Sequence, residues 1–259
     1  MKLTTLTPSI KKGVKMRTNL LTHTPKLLAV AATIATFSAA GPATAQTAGI
    51  GKLFTSAGTC SASVISGKNI IVTAGHCCWN RSTNKWIGGW SFAPGYNNGN
   101  APYGMFPYAQ ARVLNSWINS GDIPSDLCVI SLQKNAAGKP ITYYTGWYGR
   151  SWNYSPNQNM RSFGYPGNLG NGQTLQQCAA PSSAQPAACG ANVLNMACNM
   201  TYGSSGGPWF RDFGSGNHVN STVHGYTSTT CTGAFGKVFN GPRFTSGNIV
   251  PLCTDQGCE

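Results

Sequence analysis

Two short runs carry residues able to do chemistry. Ser205 lies in Tyr202-Gly203-Ser204-Ser205-Gly206-Gly207-Pro208, and His76 lies in Thr73-Ala74-Gly75-His76-Cys77. A serine hydroxyl is a weak nucleophile near neutral pH until an imidazole takes its proton, and flanking glycines leave room for a substrate and for backbone N–H donors. Of the other histidines, His23, His218 and His224, none follows a strand-like run and a turn of small residues as His76 does. A loop histidine with a purely structural role is the plain alternative, and the serine run argues against it. Between His76 and Ser205 the only carboxylates are Asp122 and Asp126. Asp126 opens the apolar run Leu127 to Leu132, which would carry it inward, whereas Asp122 sits in Asn119-Ser120-Gly121-Asp122-Ile123-Pro124, a turn in which aspartate usually caps. Asp126 is therefore expected to orient the imidazole, with Asp122 as the alternative.

The elements that would hold these groups read as β-strands. Ser61 to Ser66, Asn69 to Val72, Leu127 to Leu132 and Ser221 to His224 are short, β-branched or alternating, and turn signals such as Ser66-Gly67-Lys68-Asn69 and Pro166-Gly167-Asn168 separate them. No long amphipathic helix pattern emerges, so the fold class is all-β. The stretch Gly88 to Gly104, rich in glycine and asparagine, lacks strand periodicity and is expected to be a long surface loop. Four Asn-x-Ser/Thr matches (Asn80, Asn153, Asn199, Asn220) are a motif frequent by chance.

Residues 1–45 have the make-up of an export signal: Lys11, Lys12, Lys15, Arg17 and Lys26 precede the apolar stretch Leu27 to Ala40, and Ala43-Thr44-Ala45 offers a small-residue cleavage site before Gln46. Counted from Met16 the leader has an ordinary length. The apolar stretch is shorter than the roughly 20 residues needed to cross a bilayer, so no membrane anchor is expected. Cleavage removes six of the 18 Lys and Arg residues, leaving twelve against five acids, a net charge of +7. That excess reflects scarce carboxylates rather than basic clusters, so no nucleic-acid partner is expected. Ten cysteines, all beyond the leader, read as disulfides in an exported chain. Zinc spacings are missing and Cys77-Cys78 are adjacent, so neither a metal nor another cofactor is expected.

In the order His, Asp, Ser, the runs Thr73 to Cys77, Asp126 to Leu132 and Gly203 to Pro208 resemble the chymotrypsin-fold (trypsin-like) serine proteases. Subtilisin-like enzymes and α/β-hydrolases order the same groups differently, and an esterase elbow would need a strand-to-helix setting. Gly49 to Phe54, Cys60 to Cys77 and Phe163-Gly164-Tyr165-Pro166 further resemble the secreted bacterial V8-like, or glutamyl endopeptidase-like, branch. The resemblance implies two six-stranded antiparallel β-barrels, residues 46–142 carrying His76 and Asp126 and residues 143–259 carrying Ser205, with the active site in the cleft between them. It implies a monomeric secreted serine endopeptidase acting on proteins or peptides through an acyl-enzyme. Ser205 would be the nucleophile, and the N–H groups of Gly203 and Ser205 the oxyanion hole. Family position implies the disulfides Cys60–Cys77 and Cys198–Cys231, and proximity adds Cys78–Cys128, Cys178–Cys189 and Cys253–Cys258. Ser204 stands where zymogen-activated members keep an aspartate, so activity is expected soon after export.

The same resemblance places the substrate pocket at Asn199, Met200, Thr201, His224 and Thr227. Asn199 stands where members cleaving after Lys or Arg carry an aspartate, so that specificity lacks its counter-charge. His224 matches the histidine that glutamate-specific members set against a P1 carboxylate, while Met200 stands where those members carry a hydroxyl. A P1 glutamate and a medium or apolar P1 residue both remain open, and an inactive, protease-like binding protein is the non-enzyme alternative.

Overall fold

The computed structural model describes residues 36–39, 44–185, 191–227 and 238–258; most of the expected leader, together with Cys189 and Cys231, lies outside them. Within the expected leader, the strand Thr36–Ala39 pairs antiparallel with Gln176–Ala184.

The first half closes on itself. Six strands form an antiparallel barrel in the neighbour order Ile50–Thr55, Gly58–Ser66, Ile70–Thr73, Cys128–Leu132, Phe106–Val113 and Ser91–Pro94. Strands that face solvent on one side alternate apolar and polar residues, but Ile70-Ile71-Val72 and Cys128-Val129-Ile130 are apolar throughout. Both of their faces are covered. Ile71, Cys128, Ile130 and Leu132 point into the barrel with Leu53, Val64, Phe92 and Phe106. Ile70, Val72 and Val129 point the other way, into a second cluster shared with Phe163, Tyr165, Phe210 and Val219 from the second half.

The expected surface loop Gly88 to Gly104 is corrected in part. Ser91–Pro94 is a barrel strand paired with both Ile50–Thr55 and Phe106–Val113, and Trp90, Phe92 and Ala93 are buried. Four residues between glycine and asparagine turns are too few to show a period, and the strand is held by what Phe92 buries.

The described part of residues 143–259 forms one sheet of nine strands, to which Thr36–Ala39 and the parallel strand Gly149–Arg150 contribute, rather than a second closed six-stranded ladder. Its central strands are His218–Thr222, Pro208–Arg211, Asn159–Gly164, Gln176–Ala184, Val193–Met196 and Val238–Pro242. The ends of this series approach through single bonds, Phe244 N–H to the Asn220 carbonyl (3.1 Å) and His224 N–H to the Asn240 carbonyl (2.9 Å). Met160, Leu194, Met196, Met200, Trp209 and Phe239 fill the space within. A C-terminal helix, Ile249–Gln256, starts at the Asn248 side-chain cap and ends at left-handed Gly257.

Cys60–Cys77, Cys78–Cys128 and Cys253–Cys258 are bridged as expected. Cys178 and Cys198 are not: both carry free thiols, so the expected bridges Cys178–Cys189 and Cys198–Cys231 are corrected. Cys178 projects from its strand toward the segment that holds Cys198, its thiol donating to the Ala197 carbonyl (3.2 Å). The Cys198 thiol beside it, together with burial, pushes the Cys178 thiol well above the ordinary cysteine range.

Candidate active site

Strand pairing brings His76 to Asp126. Thr73 lies opposite Cys128 in an antiparallel ladder, so the chain three residues beyond Thr73 meets the chain two residues before Cys128. The short 3-10 turn Gly75–Cys77 then swings the imidazole over the carboxylate. Gly75 permits the approach, since a Cβ there would stand 3.0 Å from Asp126 Oδ1. Two disulfides brace the corner: Cys60–Cys77 ties the turn to the neighbouring strand, and Cys78–Cys128 ties it to the strand that Asp126 precedes.

Asp126 is fully buried and accepts three hydrogen bonds. The His76 backbone N–H donates to Oδ1 (2.7 Å), His76 Nδ1 lies 2.7 Å from Oδ2, and His224 Nδ1 lies 2.5 Å from the same oxygen. Burial opposes the charge on Asp126, but the His76 charge and the hydrogen bonds from His224 and His76 outweigh it and hold the carboxyl well below its usual range. Burial likewise disfavours a charged His76, yet the charge and hydrogen bond of Asp126 prevail and raise its pKa above 6.5. A carboxylate that accepts from Nδ1–H fixes the tautomer in which Nε2 has a free lone pair. Asp122 belongs to its turn instead, accepting from Ser125 (2.8 Å) and Ser120 (3.3 Å).

His76, Asp126 and His224 offer ligand atoms of the types zinc uses, all within 4.8 Å of one another. The contacts to Oδ2, at 2.7 and 2.5 Å, are hydrogen-bond lengths. Ligand atoms about 2 Å from a tetrahedral zinc would stand roughly 3.3 Å apart, so an ion between them would have to break both bonds.

Ser205 reaches the same cleft from the other half of the molecule. Its loop requires glycine where it bends: Gly203 has φ +95° and Gly206 has φ +78°, and a Cβ would strike the Tyr165 carbonyl at the first and Thr73 Oγ1 at the second. Ser61, on the barrel strand Gly58–Ser66, clamps the loop. Its N–H donates to the Ser205 carbonyl (2.8 Å), and its hydroxyl donates to the Gly203 carbonyl (2.8 Å) while accepting from Tyr165 N–H (2.9 Å). With both carbonyls turned to Ser61, the N–H groups of Gly203 and Ser205 have no acceptor among the described residues. Ser204 is buried and donates to the Thr201 carbonyl (2.7 Å). Ser61 is a site residue that sequence reasoning missed, because in Ser61-Ala62-Ser63 nothing separates it from Ser63.

His76, Ser205, Met200, Thr201, His224 and Tyr226 line one cleft of about 1110 Å³. The structure does not bring Asn199 to it. Asn199 is exposed, and its carbonyl is taken by the Asn168 amide (2.8 Å). Asn168 also accepts from the Thr201 N–H (3.0 Å) and hydroxyl (2.8 Å), which occupies the hydroxyl hydrogen of this expected pocket residue. Met200 is fully buried. Tyr226, which the sequence did not single out, donates to the Cys198 and Met200 carbonyls (both 3.1 Å) and shapes the wall. Thr227 ends the strand Gly225–Thr227, and its side chain lies outside the described structure.

A closed antiparallel barrel facing a second β-sheet, with a histidine and buried aspartate on one side of a cleft and a glycine-bound serine on the other, defines a serine protease of the chymotrypsin fold. The chain belongs to the trypsin family, whose description matches residues 40–240. Glutamyl endopeptidase of Bacillus licheniformis is 28% identical over 157 residues, 60% of this chain and 46% of that protein. The match thus spans about half the length of that curated relative, and it supports the V8-like branch. Among solved structures, a thermostable serine protease, AL20, from an extremophilic microorganism is 31% identical, covers 83% of this chain and 97% of its own, and superposes with a TM-score of 0.69. Protease Anisep from Arthrobacter nicotinovorans is 25% identical, with 86% and 99% covered and a TM-score of 0.72. A Glu endopeptidase at 18% identity (TM-score 0.71, 86% and 97% covered) shares the fold.

Proposed function

We propose that this trypsin-family protein is an exported endopeptidase that cleaves peptide bonds with Ser205 as nucleophile, His76 as general base and Asp126 as the group that orients it. One observation carries the reading: the Asp126–His76 pair, 2.7 Å apart and partly shielded from water, opens into the same cleft as a serine whose flanking N–H donors are unpaired. Ser205 Oγ attacks the substrate carbonyl and gives its proton to His76 Nε2. The Gly203 and Ser205 N–H groups take up the negative oxygen, and the imidazolium returns the proton to the leaving amine. Water then repeats the cycle on the acyl-enzyme. Fluorophosphonate labelling tests it: Ser205 is expected to be the labelled residue in folded protein, and a folded sample that does not label would overturn the assignment. Export rests on the leader, and N-terminal sequencing of secreted protein should give Gln46.

For the P1 side chain, the cleft favours a medium-sized, uncharged residue. Met200 is apolar, the Thr201 hydroxyl is engaged by Asn168, and the Nδ1 edge of His224 is committed to Asp126. The second reading, glutamate, is supported by the glutamyl endopeptidase relative and by the place of His224 on the cleft wall. A carboxylate buried there needs donors to offset its desolvation, so it requires His224 as an imidazolium. Digestion of a peptide library, with cleaved bonds read by mass spectrometry, separates the two.

A further inference from the structure

The sequence set His224 against the substrate. We propose instead that His224 is a positioning residue of the catalytic apparatus, donating its Nδ1–H to Asp126 and so fixing the carboxylate that orients His76. This rests on the triad reading above.

The geometry is specific to one ring nitrogen. His224 Nδ1 stands 2.5 Å from Asp126 Oδ2, and the backbone N–H of His224 is anchored on the Asn240 carbonyl (2.9 Å), so the ring hangs from the sheet with its Nδ1 edge committed. It meets His76 edge-on, centroids 5.7 Å apart at 89°, and Trp117 at 6.3 Å and 74°. Asp126 therefore sits between two imidazoles. A carboxylate is acceptor-only, so each Nδ1 that touches it carries the hydrogen. On His76 this leaves the Nε2 lone pair as the base.

The reaction makes use of this bond. When His76 takes the serine proton, Asp126 must stay in plane with the Nδ1–H to stabilise the imidazolium. Its Oδ1 is fixed by the His76 backbone, and among the described residues its Oδ2 is fixed from a second direction only by His224. Without that donor, a fully buried carboxylate loses one of three hydrogen bonds and the restraint on its rotation. A hydrogen bond to a charged group is worth enough that its loss should reduce turnover by about 10- to 100-fold.

Two substitutions address the two ring nitrogens separately. In His224→Asn the amide nitrogen takes the place of Nδ1, whereas in His224→Gln it takes the place of Nε2. The proposal expects His224→Asn to keep kcat within about threefold of the unmodified enzyme and His224→Gln to lose about 10- to 100-fold in kcat with little change in KM. That loss should be equal for substrates with Glu, Gln or Leu at P1, it should recur in the rate of fluorophosphonate labelling, and it should vanish when Asp126→Asn is already present. Equal effects of the two variants, or a loss confined to KM for Glu substrates, would overturn the proposal and return His224 to substrate binding. A measurement on unmodified protein guards against misfolded variants: proton NMR should show two downfield imidazole N–H signals, both moved by Asp126→Asn, and only one such signal refutes the proposal. Failure of the triad reading is distinguishable, because Asp126→Asn alone would then retain full activity whatever the His224 variants do.

Discussion

The two sides of the cleft are held by different means. On the His76 side, the turn and its flanking strands are cross-linked by Cys60–Cys77 and Cys78–Cys128 and rooted in strands buried on both faces. On the Ser205 side, a loop of glycines is held by hydrogen bonds with Ser61, Val223 and Thr201, and the nearby Cys178 and Cys198 remain thiols. In the proposed mechanism the base must keep one tautomer and one direction, which covalent bracing of the backbone would secure. The proposed nucleophile must leave its backbone N–H groups unpaired, which a hydrogen-bonded loop achieves by turning its carbonyls elsewhere. Rigidity on one side and selective pairing on the other are separable, so damage to each should show in a different measurement.

The greatest effect should fall on chemistry alone. Ser205→Ala is expected to lower kcat by about 10⁶-fold with unchanged thermal unfolding, read by peptide hydrolysis and calorimetry. Asp126→Asn should cost about 10⁴-fold by admitting the wrong imidazole tautomer, while Asp122→Asn should stay near the parent activity. The reverse ranking of the two aspartates would break the assignment of the bracing to His76.

Stability should be lost mainly on the cross-linked side. Bridges that close 50, 17 and 5 residues span Cys78–Cys128, Cys60–Cys77 and Cys253–Cys258. Chain entropy ranks their removal at about 4, 3 and 2 kcal/mol, measured by denaturant unfolding of paired Cys→Ala variants. Equal losses at all three would mean that loop length does not govern the bracing.

Ser61→Ala probes the hydrogen-bonded side. It frees the Gly203 carbonyl and deprives Tyr165 N–H of its acceptor, and it should reduce kcat by about 10-fold or more as the oxyanion donors lose alignment, with KM little changed.

The smallest effect is in pH. Because the His76 pKa is raised, the rate should rise with pH through a midpoint above 6.5. Its contribution to stability has the opposite sense: complete below the unfolded value near 6.5, it fades as pH climbs through the raised folded value. The depressed Asp126 contributes above its unfolded value near 3.8 and loses its contribution as pH falls through the lower folded one. The stability difference between parent and His76→Ala should therefore shrink as pH rises above about 6.5.

What the sequence made legible follows the same division. His76, Asp126 and Ser205 stood out because each sits in a local run whose residue types disclose the backbone: a β-branched strand, a turn, a pair of glycines. The strands Ile70–Thr73 and Cys128–Leu132 were readable because burial on both faces writes an unbroken apolar run. Ser91–Pro94 was hidden because its pairing partners, not its own four residues, make it a strand. Ser61, and the contact that His224 makes with Asp126, were missed for a related reason. Their roles are contacts across 142 and 98 residues of chain, and no local pattern marks which serine meets Gly203 or which histidine nitrogen meets Asp126.

The strands that feed two clusters also bear on how the molecule comes apart. Ile71 and Ile130 belong to the barrel interior, while their immediate neighbours Ile70, Val72 and Val129 belong to the layer shared with the second half. Neither layer can be dissolved without moving the strands that hold the other. Melting should therefore be cooperative across both halves, giving a single heat-absorption peak whose calorimetric and van't Hoff enthalpies agree, and a stable isolated half should not be obtainable by limited proteolysis.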